Sequence, residues 1–172
     1  MAGLRVVWGF DSWEHACKNW RSNFPWATCY NRPAHDFVEF AKNAEKQGFP
    51  GLMKVDILHL SPPCQFFSPA HTINGVNDEM NTASLFAVQA VIEVAKPRVV
   101  TLEQTFGITW PRFRFYFNAL IQMFTTHDFS VRWAIVPLQQ WVRIPPSLTT
   151  QLLTPCQGLP QRRHRLIIIA AW

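Results

Sequence analysis

The segment Val55–Thr72, VDILHLSPPCQFFSPAHT, leaves this chain few folds to choose from. Its opening residues Val55, Ile57, Leu58 and Leu60 are apolar, the composition of a covered strand. Ser61-Pro62-Pro63 then ends the strand, because proline has no N–H to donate to a ladder and holds the chain extended. The residue delivered at that point is Cys64. In an open α/β sheet, ligands collect just beyond the carboxyl ends of the strands. Most free cysteines are small buried hydrophobes, but one fixed at a strand's carboxyl end is a candidate nucleophile.

The flanking sequence alternates strand and helix, as a parallel sheet requires. Leu4–Phe10 reads as a strand ending at Asp11. Ser12–Asn23 reads as a helix with Ser12 as N-cap and Trp13, Ala16, Cys17 and Trp20 on one face. Ala27–Tyr30 is a short strand. Phe37–Gln47 is a helix that Gly48 can end, and Asp36 is its candidate cap. His71–Asn81 is polar and reads as a mobile loop, with His71 in a solvated role. Asn81 is placed to cap a helix over Thr82–Ala95, which Lys96-Pro97 stops. Arg98–Leu102 is a second buried strand, and it delivers Glu103 into the layer of Cys64. A helix over Arg112–Phe124 and strands over Ser130–Leu138 and Leu166–Ala170 complete the pattern. In Gln161-Arg162-Arg163-His164-Arg165, the spacing puts Arg163 and Arg165 on one face of a strand.

Composition sets outer bounds. A chain of 172 residues, 48% hydrophobic and 16% charged, is one domain or part of one and is not a disordered segment. No apolar run reaches the roughly 18 residues of a membrane span, and no secretory signal opens the chain. Four cysteines without CxxC spacing point to no disulfide framework and no metal site, which fits a reducing compartment. A formal charge of +5 is compatible with nucleic acid without requiring it.

Pro63-Cys64-Gln65 after an apolar strand, extended by Phe66-Phe67-Ser68, resembles the catalytic motif of the cytosine-5 DNA methyltransferases. Three further segments follow the same family in order. FDSWEHACKNWRSNFP resembles its second motif, His35-Asp36-Phe37 its third, and Gln161-x-Arg163-x-Arg165 its eighth. Glu103-Gln104-Thr105 keeps the glutamate of the family's Glu-Asn-Val but not the other two residues. Such variants look like the divergent fungal branch associated with repeat-induced point mutation and de novo methylation.

The resemblance implies an α/β fold: the S-adenosylmethionine-dependent methyltransferase (Rossmann-like) sheet with flanking helices, truncated here at both ends. It implies methyl transfer from S-adenosylmethionine to carbon 5 of a flipped cytosine in DNA, in the nucleus, with no metal and no membrane. It assigns Cys64 as nucleophile and Glu103, Arg163, Arg165 and Pro63 as catalytic partners. Asp11, Ser12, Asp36 and Phe37 fall to the cofactor; Gln65, Ser68 and Gln161 fall to DNA. Where the family often carries a large apolar residue against the adenine, this chain has Ser12. Two other readings carry the same motifs: a non-catalytic DNA-binding relic of the fold, and an RNA cytosine methyltransferase.

Against the family's pattern, the glycine-rich first motif, the target-recognition region and the last two motifs are expected to be missing. Residues 1–172 then form one partial catalytic domain. Within it, Val142–Gln157 carries three prolines and no helix or strand period. It reads as an insertion, and its ends can be encoded by the borders of a short fungal intron retained in frame. On that reading Cys156 plays no part in the chemistry.

Overall fold

The computed structural model describes residues 3–73, 75–138 and 163–172. The expected insertion at 142–157, with Cys156, and the expected DNA contact Gln161 lie outside the described residues. The elements run β1 (Trp8–Asp11), α1 (Glu14–Asn23), β2 (Thr28–Asn31), α2 (Ala34–Lys46), β3 (Ile57–Leu60), α3 (Asp78–Ala95) and β4 (Val99–Thr105). Two short 3-10 turns (Phe106–Thr109 and Pro111–Phe113) lead into α4 (Arg114–Thr125), β5 (Ser130–Pro137) and β6 (His164–Ala171).

β1 and β2 pair in parallel, Trp8 opposite Thr28 and Asp11 opposite Asn31. The other four strands form a sheet in the order β3-β4-β6-β5. β3 and β4 are parallel, joined by the crossover helix α3, while β6 runs antiparallel to both β4 and β5. The α/β expectation therefore holds, with a parallel part and an antiparallel end.

The core follows from strand alternation. Leu58 and Leu60, Val100 and Leu102, and Leu166, Ile168 and Ala170 share one sheet face and are buried. Leu85, Val88, Ile92, Leu120 and Phe124 of α3 and α4 complete the same cluster. The opposite face is more open: Ile57 and Ile169 are exposed, and His59 Nδ1 lies 2.8 Å from Thr101 Oγ1. The two-stranded unit is tied to the rest by aromatic packing and hydrogen bonds. Phe10 stacks on Phe37 at 4.4 Å, and the Trp8 indole N–H donates to the Met53 carbonyl at 3.2 Å.

Several expected boundaries move. β1 begins at Trp8 rather than Leu4; Leu4 and Val7 are exposed. α2 begins at Ala34, so Asp36 lies inside its first turn rather than before it. Pro33, with its fixed φ, stands at the N-cap position. α3 begins at Asp78, four residues before the expected Thr82, and Asn81 lies within it rather than capping it. β4 continues through Glu103, Gln104 and Thr105, each paired with a residue of β6. α3 ends as expected at Lys96, which takes a left-handed φ of 44° ahead of Pro97.

Candidate active site

Cys64 sits in a tight turn immediately beyond β3. Its carbonyl accepts the Phe67 N–H at 3.2 Å, and the Gln65 carbonyl accepts the Ser68 N–H at 3.0 Å. The thiol is half-buried and in no disulfide. Pro63 and Gln65 beside it are exposed, and Ser68 is half-buried.

The turn is anchored by the two residues after Gln65. Phe67 is completely buried and packs edge-on to Phe113 and Tyr116, each at 5.3 Å. Phe66 meets the same two rings at 5.3 and 5.7 Å. The aromatic face of the helix after β4 is thereby welded to the turn that carries the cysteine.

Glu103 stands near the carboxyl end of β4, the parallel neighbour of β3. Because β4 and β6 pair with Glu103 opposite Ile167 and Thr105 opposite Arg165, Glu103 and Arg165 share a sheet face. Arg165 Nε donates to Glu103 Oε1 at 3.0 Å, and Arg163 Nη2 lies 3.6 Å from the same oxygen. The expected common face of Arg163 and Arg165 is thus present, and both guanidinium groups converge on Glu103. Arg165 Nη1 also donates to its neighbour's carbonyl, that of His164, at 3.0 Å, which fixes the fork. A carboxylate held between two permanent cations is positioned to bind the donor edge of a planar ring.

The remaining expected residues fall at the end of β1 and in the first turn of α2. Asp11 is exposed, and its Oδ1 accepts the Trp13 N–H at 2.7 Å. That hydrogen bond does the work expected of Ser12, which is exposed and does not cap α1; the N-cap position belongs to Trp13. Asp36 pairs with His35 at 2.8 Å. It also lines a groove of about 490 Å³ along α2 with Arg32, Glu39, Phe40, Asn43, Ala44 and Gln47. Neither Asp11 nor Ser12 reaches that groove. The Phe37 side chain is fully buried against Phe10, Trp8 and Tyr30, so its ring belongs to the core.

The solvated role expected for His71 is also corrected. Its side chain is only 19% exposed and pairs with Asp78 at 3.0 Å. Asp78 also accepts the Gly75 N–H at 2.8 Å, closing the loop after the cysteine turn onto the start of α3. Among the described residues no group of histidine, cysteine and carboxylate side chains could hold a metal ion. Nor is any helix among them long and apolar enough to cross a membrane.

The other two described cysteines differ from Cys64. Cys17 is buried, and its thiol faces the Asp11 carbonyl at 3.4 Å. Burial, reinforced by a hydrogen bond with Cys17, pushes the Cys29 thiol up to about 11, which disfavours its thiolate at neutral pH.

The Cys64 turn, a carboxylate on the adjacent parallel strand and an arginine pair on the next strand thus gather at one end of the sheet. The family of C-5 cytosine-specific DNA methylases matches residues 1–145, and the chain belongs to it. A search of curated protein sequences returns no match. Among solved structures, the chain is similar to a protein assigned as a DNA modification methyltransferase encoded within an Escherichia coli prophage. The identity is 18% and the TM-score 0.70, over 99% of this chain and 41% of that one. It is also similar to the Entamoeba histolytica methyltransferase EhMeth, at 15% identity and a TM-score of 0.57, over 99% and 46% of the two chains. Dnmt2 of S. pombe matches at 13% identity and a TM-score of 0.54, over 97% and 42%. These likenesses establish the methyltransferase fold, and the chain spans less than half the length of each of these structures.

Proposed function

We propose that this chain carries the catalytic half of a DNA (cytosine-5-)-methyltransferase acting in the nucleus. The observation that carries the reading is the convergence of Arg163 and Arg165 on Glu103, one strand away from the Cys64 turn.

Each residue answers a need of the reaction. Carbon 5 of cytosine is a weak nucleophile until the ring is activated. The Cys64 thiolate attacks carbon 6, and the ring becomes enamine-like at carbon 5. Glu103 accepts the ring's amino hydrogen and steadies the ring nitrogen as charge develops, while Arg165 binds the carbonyl oxygen. Arg163 holds the Glu103 carboxylate in place. After carbon 5 has been methylated, a base takes its proton, the freed electron pair re-forms the double bond between carbons 5 and 6, and the bond from carbon 6 to sulfur breaks to release the Cys64 thiolate. A stacked base cannot reach Cys64, so the cytosine is flipped out of the duplex. Pro63, Gln65, Ser68 and Gln161 are the residues proposed to border the base and the DNA.

S-adenosylmethionine, when bound, supplies the methyl group. A carboxylate at the carboxyl end of β1 and another in the first turn of α2 suit its ribose hydroxyls and adenine amino group. Asp11 and Asp36 are those residues. Ser12 offers the adenine no apolar surface, but Trp13 beside it is 63% exposed. We assign Trp13 the stacking role that Ser12 cannot fill, with Phe37 acting only by holding α2 against β1.

The test is covalent trapping. Duplex DNA bearing 5-fluorocytosine, with S-adenosylmethionine, is expected to give a denaturation-resistant adduct with the chain and none with Cys64→Ser. An adduct that survives Cys64→Ser refutes the nucleophile. Adduct formation on tRNA but not on DNA moves the substrate to RNA. Binding of DNA without any adduct favours the non-catalytic relic.

A further inference from the structure

Gln104 occupies the position after Glu103 and is 1% exposed. Alternation along β4 turns it to the opposite sheet face from Glu103, beneath the cysteine turn. Its Nε2 donates to the Pro62 carbonyl at 3.4 Å and to the Pro63 carbonyl at 3.5 Å. Its Oε1 accepts the Thr105 N–H at 2.8 Å, which fixes which way the amide faces. A buried amide needs partners for both ends, and this one finds them all in the two segments that carry Cys64 and Glu103.

The chemistry of Ser61-Pro62-Pro63 explains why the tether is needed. Two successive prolines supply no N–H, so that stretch cannot be fixed by donating to a neighbouring strand. At Pro62 and Pro63 the carbonyls are the only backbone handles. Gln104 takes hold of two of them in succession, immediately before the nucleophile. The second restraint on the turn, the burial of Phe67 between Phe113 and Tyr116, acts on its far side. Cys64 lies between the two anchors.

We propose that Gln104 is a positioning residue for Cys64: its side-chain amide sets the height of the Pro-Pro-Cys turn relative to the Glu103 strand. This deepens the methyltransferase reading but can be tested without it, because the geometry of the thiol is accessible to a reagent that needs neither cofactor nor DNA.

The experiment measures alkylation of the folded 172-residue chain by iodoacetamide, quantified cysteine by cysteine by peptide mass spectrometry across pH 6 to 9. Gln104→Met removes the donors at nearly constant volume. The Cys64 rate is expected to rise about fivefold, the weight of one ordinary hydrogen bond, while buried Cys17 stays unreactive. Leu120→Ala, which opens a cavity in α4 away from the turn, serves as the control for general destabilisation; it is expected to leave the Cys64 rate within about twofold of the parent. A Cys64 rate unchanged in Gln104→Met, or raised equally in Leu120→Ala, overturns the proposal. A wild-type measurement covers the case in which Gln104→Met does not fold. The Gln104 side-chain NH2 protons are expected to exchange with solvent at least about tenfold more slowly than those of exposed Gln65. Equal exchange rates overturn the tether.

Discussion

Gly107 gives the sharpest test of how the active-site segments are held. It lies in the turn after β4, and a Cβ built on it would meet the Phe67 carbonyl oxygen at 2.0 Å. An ordinary carbon–oxygen contact is about 3.3 Å, so Gly107→Ala requires a separation of about 1.3 Å between two backbones. Neither can yield cheaply. Phe67 is fully buried against Phe113 and Tyr116, and Gly107 is itself buried between Phe106 and Ile108 on the way to α4. Overpacking of this kind costs about 3 kcal/mol, which corresponds to a melting temperature about 6–12 °C lower in a chain of this size. Tryptophan fluorescence, with eight tryptophans in the chain, can follow urea and thermal unfolding of the variant. Gly48→Ala is the comparison: Gly48 has a φ of +91° with open space around it, so it tests backbone strain alone, at about 1 kcal/mol. A Gly107→Ala variant no less stable than Gly48→Ala would refute the steric argument and the view that the two segments are locked together.

Other consequences can be checked independently. Arg165→Leu removes the shorter of the two arginine contacts to Glu103 and is expected to lower methyl transfer about 100-fold, with Arg165→Lys recovering only part because an ammonium lacks the fork; equal activity in all three forms removes Arg165 from the chemistry. Phe67→Ala should cost about 3–5 kcal/mol in urea unfolding, and a loss below about 1 kcal/mol would show that the turn is not anchored by that ring. Burial raises the Cys29 thiol from 9.0 to about 11, and burial also raises the Tyr30 phenol. The folded state therefore prefers both groups protonated; the Cys29 contribution is complete below about pH 9 and is lost as pH rises through about 11, and Tyr30 acts in the same direction. The melting temperature should fall across that window and fall less in Cys29→Ser; an identical alkaline slope in the two proteins would refute the assignment. Trp13→Ala is expected to weaken S-adenosylmethionine binding about tenfold by calorimetry, and unchanged affinity would return the adenine to another surface.

Much of the scaffold was legible because its signals are local. The apolar run into Ser61-Pro62-Pro63 could only be a strand that stops, and Lys96-Pro97 could only end a helix. Arg163 and Arg165 could be put on one face because alternate residues of a strand share it. What escaped depended on distant partners. The three residues Glu103-Gln104-Thr105 carry no strong strand signal, yet they extend β4 because β6, about sixty residues later, pairs with them. His71 looked solvated because nothing in its own neighbourhood announces Asp78, seven residues on, as its partner. Ser12 is a better N-cap by type than Trp13, but Asp11 had already taken the Trp13 N–H. Gln104 and Gly107 were visible only as a departure from a motif and as an unremarked glycine; their roles arise from the Pro62 and Phe67 carbonyls, which a linear reading does not place beside them.

The division of labour between Glu103 and Gln104 also bears on which kinds of sequence change this chain can absorb. The two are consecutive, yet one faces the arginines and the other the underside of the cysteine turn. Substituting either removes one function and leaves the other. Deleting or inserting a single residue upstream within β4 would rotate both by half a period, placing the carboxylate in the core and the amide beside the arginines. Seven paired positions between β4 and β6 oppose such a slip. Point changes along this strand should therefore be graded in effect, whereas length changes should be all-or-none.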